Sequence, residues 1–219
     1  MTDPVDANDR DESLARIRQI PRVDVATVRL LDEYVVALIA ETAHQNLIAR
    51  STIGNIWSRH ILDSAQLIGF VPRETRLGSW VDVGTGAGLP GMVCAILLPD
   101  CEFTLIEPRT KRVDFLRRVV NALSLNNVRV EPSTIQNVVQ DKVDVISARA
   151  VAATEKLVAM ASHLARPDTF WLLPKGRGAF SELDGIAAPH GFHVEHSVTD
   201  PESGVIVGTM RNLSGKSGS

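Results

Sequence analysis

Trp80-Val81-Asp82-Val83-Gly84-Thr85-Gly86-Ala87-Gly88-Leu89-Pro90-Gly91 is an apolar run that meets a carboxylate, then three alternating glycines, then a helical apolar pattern. The order reads as strand, tight turn, helix. Glycine is needed where the backbone takes positive φ or where a ligand must approach main-chain atoms closely. Such a turn leaves amide N–H groups at a helix N-terminus, above the C-terminal end of the strand. In an open α/β sheet that crevice is where ligands bind.

The dinucleotide fingerprint is Gly-x-Gly-x-x-Gly, with an acid about 20 positions on for the ribose hydroxyls. This chain has Gly84-x-Gly86-x-Gly88, one residue shorter between the last two glycines, and it places Asp82 just ahead of the turn, where a pyrophosphate site rarely has a negative charge. A second strand-like run, Glu102-Phe103-Thr104-Leu105-Ile106-Glu107, ends in a carboxylate at the expected separation. A site framed by Asp82 and Glu107 suits a ligand with a cationic end and a ribose. S-Adenosylmethionine has an ammonium, a sulfonium and ribose hydroxyls, and no phosphate. The bland alternative is a turn that only packs a helix on a strand; the strand, the spacing and the acid all speak against it.

Outward from the turn, strands and helices alternate. A strand over 80–84 leads to a helix over 89–98, a strand over 102–107 and a helix over 110–124. A strand over 128–131, a short helix near 135–139 and a strand over 143–147 follow. Then come a helix over 153–165 stopped by Pro167, a strand over 169–173 and a helix over about 179–187 ending near Pro189. Two closing strands, 192–197 and 204–211, are joined by Asp200-Pro201-Glu202-Ser203-Gly204 and read as a hairpin. The alternation implies right-handed crossovers and a parallel sheet, to which the hairpin adds an antiparallel strand. Upstream, helical spacing covers 12–20, 23–47 and 58–70, an extension that precedes the first strand. Residues 1–12 carry Asp3, Asp6, Asp9, Asp11 and Glu12 against Arg10 alone, which predicts a disordered acidic tail.

The 219 residues, 44% of them hydrophobic, suffice for one α/β domain with an extension. No apolar run approaches the ~18 residues of a membrane span, and the acidic N-terminus does not read as a secretory signal. Cys94 and Cys101 fit neither a disulfide framework nor a zinc set, so reduced thiols of a cytoplasmic protein are expected. The formal net charge of −3 leaves any nucleic-acid contact to a local basic patch. His190, His193 and His196 have a metal-like spacing of three, but on a strand that spacing points to opposite faces, so no metal is expected.

Several stretches resemble the RsmG/GidB rRNA methyltransferases: Asn46-Leu47-Ile48, Arg59-His60-Ile61-Leu62-Asp63-Ser64, the Asp82–Gly91 turn, Lys111-Arg112 with Phe115-Leu116, Arg149-Ala150 and Leu173-Pro174-Lys175-Gly176. The likeness runs in order over residues 24–211. It implies a class I S-adenosylmethionine-dependent methyltransferase fold, Rossmann-like, with a seven-stranded mostly parallel sheet containing one antiparallel strand. The chain then divides into the acidic tail, a helical extension over 13–75, a methyltransferase domain over 76–213 and a flexible tail over 214–219. The resemblance further implies methyl transfer to N7 of a guanine in the 530 loop of 16S rRNA. By position, the family's cofactor contacts fall on Gly84, Leu89, Ile135, Gln136 and Arg149, beside Asp82, Gly86, Gly88 and Glu107 from the motif itself. Gln136 stands where the family usually has Glu, and Glu107 where relatives often have Asp; either carboxylate can accept from both ribose hydroxyls.

The residues suit that chemistry. Guanine N7 is a lone-pair nucleophile with no proton to lose, so no general base is needed and rate comes from alignment. The chain has no Asn/Asp-Pro-Pro-Tyr motif, its single tyrosine is Tyr34, and neither cysteine precedes proline, which argues against amino-group and cytosine-C5 methylation. Arg149, after the fourth strand, is the candidate for positioning the substrate, by stacking on the base or bonding guanine O6. Arg109, Lys111 and Arg112 on the next helix, with Arg117 and Arg118, Lys175 and Arg177 after the fifth strand, and Arg59 and His60 on the extension are candidate RNA contacts. The alternative for these groups is a solvated or ion-paired surface, against which Lys175 and Arg177 are read as phosphate contacts. The partner expected is 16S rRNA or the small ribosomal subunit, bound by a monomer. A small-molecule methyltransferase would not need the basic cluster, and a non-enzymatic RNA-binding protein would not need the glycines.

Overall fold

The structure, a computed structural model, describes residues 5–72, 77–149, 151–184 and 191–210. A seven-stranded sheet runs in the order β3-β2-β1-β4-β5-β7-β6. The strands are β1 Ser79–Val83, β2 Glu102–Ile106, β3 Val128–Glu131, β4 Val143–Ser147, β5 Ala165–Gly176, β6 Gly191–His196 and β7 Gly204–Thr209. β1 through β5 pair in parallel, while β7 lies antiparallel to both β5 and β6. The chain order reverses at β1 and β4, so a crevice opens above their C-terminal ends.

The helices are α1 Ala7–Ile17, α2 Val25–Thr42, α3 Asp63–Ala65, α4 Gly91–Leu97, α5 Thr110–Ala122, α6 Thr154–Ala161 and α7 Ala179–Asp184. Strand alternation decides which face each residue serves. Trp80, Phe103, Val145, Leu172 and Val207 meet Cys94 and Ala95 of α4 on one face. Val81, Val83, Ile106, Ile146 and Trp171 meet Leu157, Val158 and Ala161 of α6 on the other. The helical extension joins the α4 side: Leu31, Tyr34, Val35 and Leu38 of α2 are buried in one cluster with Met92, Val93 and Ile96 of α4 and Phe115 and Leu116 of α5.

The acidic N-terminal stretch is helical from Ala7, where the sequence predicts a disordered tail over 1–12. Its carboxylates act as helix caps and bridges instead of repelling one another. Asp6 caps α1 by accepting from the Asn8 amide (2.8 Å), and Asp9 accepts from the Trp57 and Ser58 amides at the start of the helical segment that follows α2. Arg10 makes a fork-to-fork pair with Asp32 (2.8 and 2.7 Å) and lies over the Trp57 ring. That segment, expected as one helix over 58–70, changes pitch twice: a π-helix over Trp57–Leu62, α3, then a 3-10 helix over Gln66–Phe70. Pro167 does not stop a helix: α6 ends at Ala161, a 3-10 turn over Ser162–Leu164 follows, and the strand begins before the proline. β5 starts at Ala165, and Pro167 sits in the stretch where register with β4 shifts, an irregularity that accommodates its missing N–H. Ala150, Pro189, His190 and the 214–219 tail lie outside the described residues.

Candidate functional site

β1 ends at Val83 and the chain turns through Gly84, Gly86 and Gly88, with φ of +62°, +61° and +96°. The Thr85 amide donates to the Ile106 carbonyl (3.0 Å), and its carbonyl accepts from the Gly88 and Leu89 amides (2.9 and 3.1 Å). The turn is thereby held to the neighbouring strand and closed on itself. A Cβ at Gly86 would meet nothing nearer than the flexible end of Arg112 at 3.5 Å, so main chain is bared there. At Gly91 the reason for glycine differs: a Cβ would stand 2.7 Å from Asp82 Cβ, so α4 packs on β1 only without one.

Tyr34 ties the extension to this turn. It is fully buried, and its hydroxyl donates to the Ala87 carbonyl at 2.9 Å. Its register with Leu31, Val35 and Leu38 marks it as apolar core in the sequence; nothing there reveals the hydroxyl's target. Tyr34→Phe is expected to cost about 1 kcal/mol of unfolding free energy, read by urea denaturation, and to weaken ligand binding at the turn. Unchanged values of both would contradict the link.

The two carboxylates expected to frame the ligand part company. Asp82 is fully buried. Its Oδ1 accepts from Ser147 Oγ (2.7 Å), which in turn accepts from Trp80 Nε1 (2.9 Å), and its Oδ2 accepts from the Gly91 amide (3.0 Å). Burial pushes its pKa up against these bonds. The period of two puts Asp82 beside Trp80 on the α4 face of β1, so it is a brace between β1, β4 and α4, not a wall of the crevice. Glu107 does stand at the end of β2. Its Oε2 accepts from the Gly86 amide (3.0 Å) and its Oε1 from the Arg109 amide (2.9 Å). Arg112 lies 3.6 Å from Oε2, over the turn. Ile135 is buried, and Gln136 is exposed with its amide against Met160 Sδ (3.1 Å).

Beside the turn lies a cleft of about 750 Å³ above the ends of β4, β5 and β7, with Arg59, His60, Asp63, Arg149, Lys175 and Glu182 among its walls. Val151 separates the two, since a Cβ on Gly84 would be 2.8 Å from its Cγ2. Arg149 Nη1 is 3.6 Å from Asp63 Oδ2 and 3.5 Å from His60 Nδ1. Burial first, then the charges of Arg149 and Arg59, pushes the His60 pKa down to about 3. The unfolded chain therefore takes up a proton near 6.5 that the native chain refuses, and stability falls as pH drops below 6.5. His60→Gln is expected to flatten this fall between about pH 6.5 and 5, measured by thermal melting; equal slopes in both proteins would contradict it.

The cations expected at RNA divide in the same way. Arg109, Lys111 and Arg117 are exposed and make no ion pair with a described residue. Arg112 is drawn to Glu107 and Arg118 to Glu41. Lys175, read from sequence as a phosphate contact, is turned inward: its side chain is 9% exposed, with Nζ on the Ala152 carbonyl (2.6 Å) and Glu182 Oε1 (3.0 Å). Glu182 also accepts from the Thr154 amide and hydroxyl at the start of α6, so Lys175 completes a capping network. Arg177 is exposed against Glu202. Among the described residues no group of three or more His, Cys, Asp or Glu could hold a metal ion. His193 faces Glu195 instead (2.9 Å).

A β3-β2-β1-β4-β5-β7-β6 sheet with a glycine turn after β1 and a carboxylate closing β2 defines a Rossmann-like methyltransferase. A methyltransferase from Geobacter sulfurreducens of known structure shares the fold over 98% of this chain and 100% of its own, with TM-score 0.57 at 16% identity. The family model for rRNA small subunit methyltransferase G (GidB) matches residues 27–199. The ribosomal RNA small subunit methyltransferase G of Novosphingobium aromaticivorans is 46% identical, covering 94% of this chain and 89% of its own. That of Sphingopyxis alaskensis is 48% identical, covering 83% and 78%. The chain belongs to the GidB family of rRNA small subunit methyltransferases.

Proposed function

We propose that this protein transfers a methyl group from S-adenosylmethionine to N7 of a guanine in the 530 loop of 16S rRNA, acting on rRNA or the small ribosomal subunit. The observation that carries the reading is the Gly84–Gly88 turn, bared at Gly86, whose amide donates to Glu107, beside a cleft that holds Arg149.

The residues fit the donor. A carboxylate has about four lone-pair sites, and two backbone amides leave Glu107 capacity for the ribose hydroxyls. Gly86 lets the donor approach main chain, Gly84 and Gly88 keep the turn in its positive-φ path under packed side chains, and Leu89, Ile135 and Gln136 stand beside the donor's adenine end. Arg112 lies over Glu107 at the same edge of the turn. Asp82 keeps β1 and α4 in register beneath the site and touches no ligand.

S-Adenosylmethionine, when bound, would supply an electrophilic methyl group for the N7 lone pair, with a neutral thioether as leaving group. The chain's part is to hold N7 in line. Arg149 faces the base, and the exposed Arg109, Lys111, Arg117 and Arg177 take phosphates. Calorimetric titration separates the readings. Binding of S-adenosylmethionine is expected; NADH binding in its place would overturn the proposal.

A further inference from the structure

Within the cleft beside the turn, Arg149, a cation with spare donors, stands next to the Asp63 carboxylate. Thr52 Oγ1 donates to the Ala49 carbonyl (2.7 Å), so its contact with His60 Nε2 (2.8 Å) must be donated by the ring. With the proton on Nε2, Nδ1 is an acceptor, and it faces Arg149 Nη1 at 3.5 Å. His60 stays neutral, as its burial requires, and positions the guanidinium. Asp63 is anchored through Oδ1, which accepts from Gln66 Nε2 (2.8 Å) and Thr199 Oγ1 (3.2 Å). Ser197 also bonds this carboxylate, and Oδ2 makes the long contact with Arg149, at 3.6 Å. Arginine has five donors, and these contacts leave most of them free.

We infer that the Arg149–Asp63 pair reads the O6/N1 edge of the target guanine, Arg149 donating to O6 and Asp63 Oδ2 accepting from N1–H. The inference rests on the guanine-N7 reading above. A donor and an acceptor side by side match a ring carbonyl with an adjacent N–H. Adenine presents an amino group and a bare N1 at the same places, so both contacts would be mismatched. N7 shares an edge of the base with O6, with C5 between N7 and the carbon bearing O6, so a base held this way offers N7 past Arg149. Methyl transfer leaves the ring cationic as the sulfonium becomes a neutral thioether. N1–H becomes a stronger donor as that charge develops, so the bond to Asp63 tightens in the transition state and acts on kcat.

The test uses the full chain and 30S particles lacking the modification, reconstituted with guanine or 2-aminopurine at the target position. 2-Aminopurine keeps N7 but lacks O6 and N1–H. The wild-type protein is expected to methylate it about 100-fold more slowly than guanine. Asp63→Asn directs its amide oxygen at Gln66 and Thr199 and leaves its NH₂ toward the base. It is expected to lower kcat on guanine about 100-fold, with a small change in KM and in S-adenosylmethionine affinity, and to add little penalty on 2-aminopurine. Equal loss on both bases, or wild-type kcat on guanine, overturns the inference while 7-methylguanine formation by the wild type leaves the parent reading standing. Should Asp63→Asn misfold, the wild-type protein decides alone: equal rates on the two bases overturn it. Absence of 7-methylguanine with the wild type sinks the parent reading instead.

Discussion

Replacing Arg149 by alanine is expected to lower kcat/KM for methyl transfer by about two to three orders of magnitude while the protein stays folded. The guanidinium stands in the cleft beside the turn, held by two long contacts that leave most of its donors free. Its removal takes away the positioning of the base, and a nucleophile with no proton to lose depends on alignment for its rate. Truncation also leaves the Asp63 carboxylate half-buried without its cation, so a modest fall in melting temperature accompanies the kinetic loss. Single-turnover transfer to 30S particles, with calorimetry for the donor, separates the two. A variant with wild-type turnover would remove Arg149 from the site.

Glu107→Ala is expected to weaken S-adenosylmethionine binding by about 1–3 kcal/mol, roughly 5- to 150-fold in Kd. The carboxylate would serve twice, bonding the ribose hydroxyls and fixing the Gly86 and Arg109 amides that shape the turn. Glu107→Gln keeps an acceptor without the charge and is expected to lose less. Unchanged affinity in the alanine variant would exclude the role.

How far these sites could be read in the sequence depended on the range of the interaction that fixes each residue. The order of strands and helices follows from local periodicity, and the glycine turn from positive φ at Gly84, Gly86 and Gly88; both were legible. Asp82 shows a local signal that pointed the other way. Proximity to the turn suggested a ligand contact, whereas the alternation that pairs Asp82 with Trp80 places it under α4, bonded to Ser147 across 65 positions. Lys175 had no such signal. Its partner Glu182 is itself fixed by Thr154, 28 positions away, and only the folded sheet brings the three together. The acidic N-terminus misled through composition, because Asp6 and Asp9 are spent on helix N-termini and Arg10 finds Asp32 22 positions on. The His60–Arg149 contact spans 89 positions and was out of reach.

The most direct test is methyl transfer from labelled S-adenosylmethionine to deproteinised 16S rRNA and to 30S particles, followed by borohydride reduction and aniline cleavage. The expected result is scission at a single guanine of the 530 loop in at least one of the two substrates. Label incorporated elsewhere, or into a product that resists cleavage, would contradict N7 transfer by this protein.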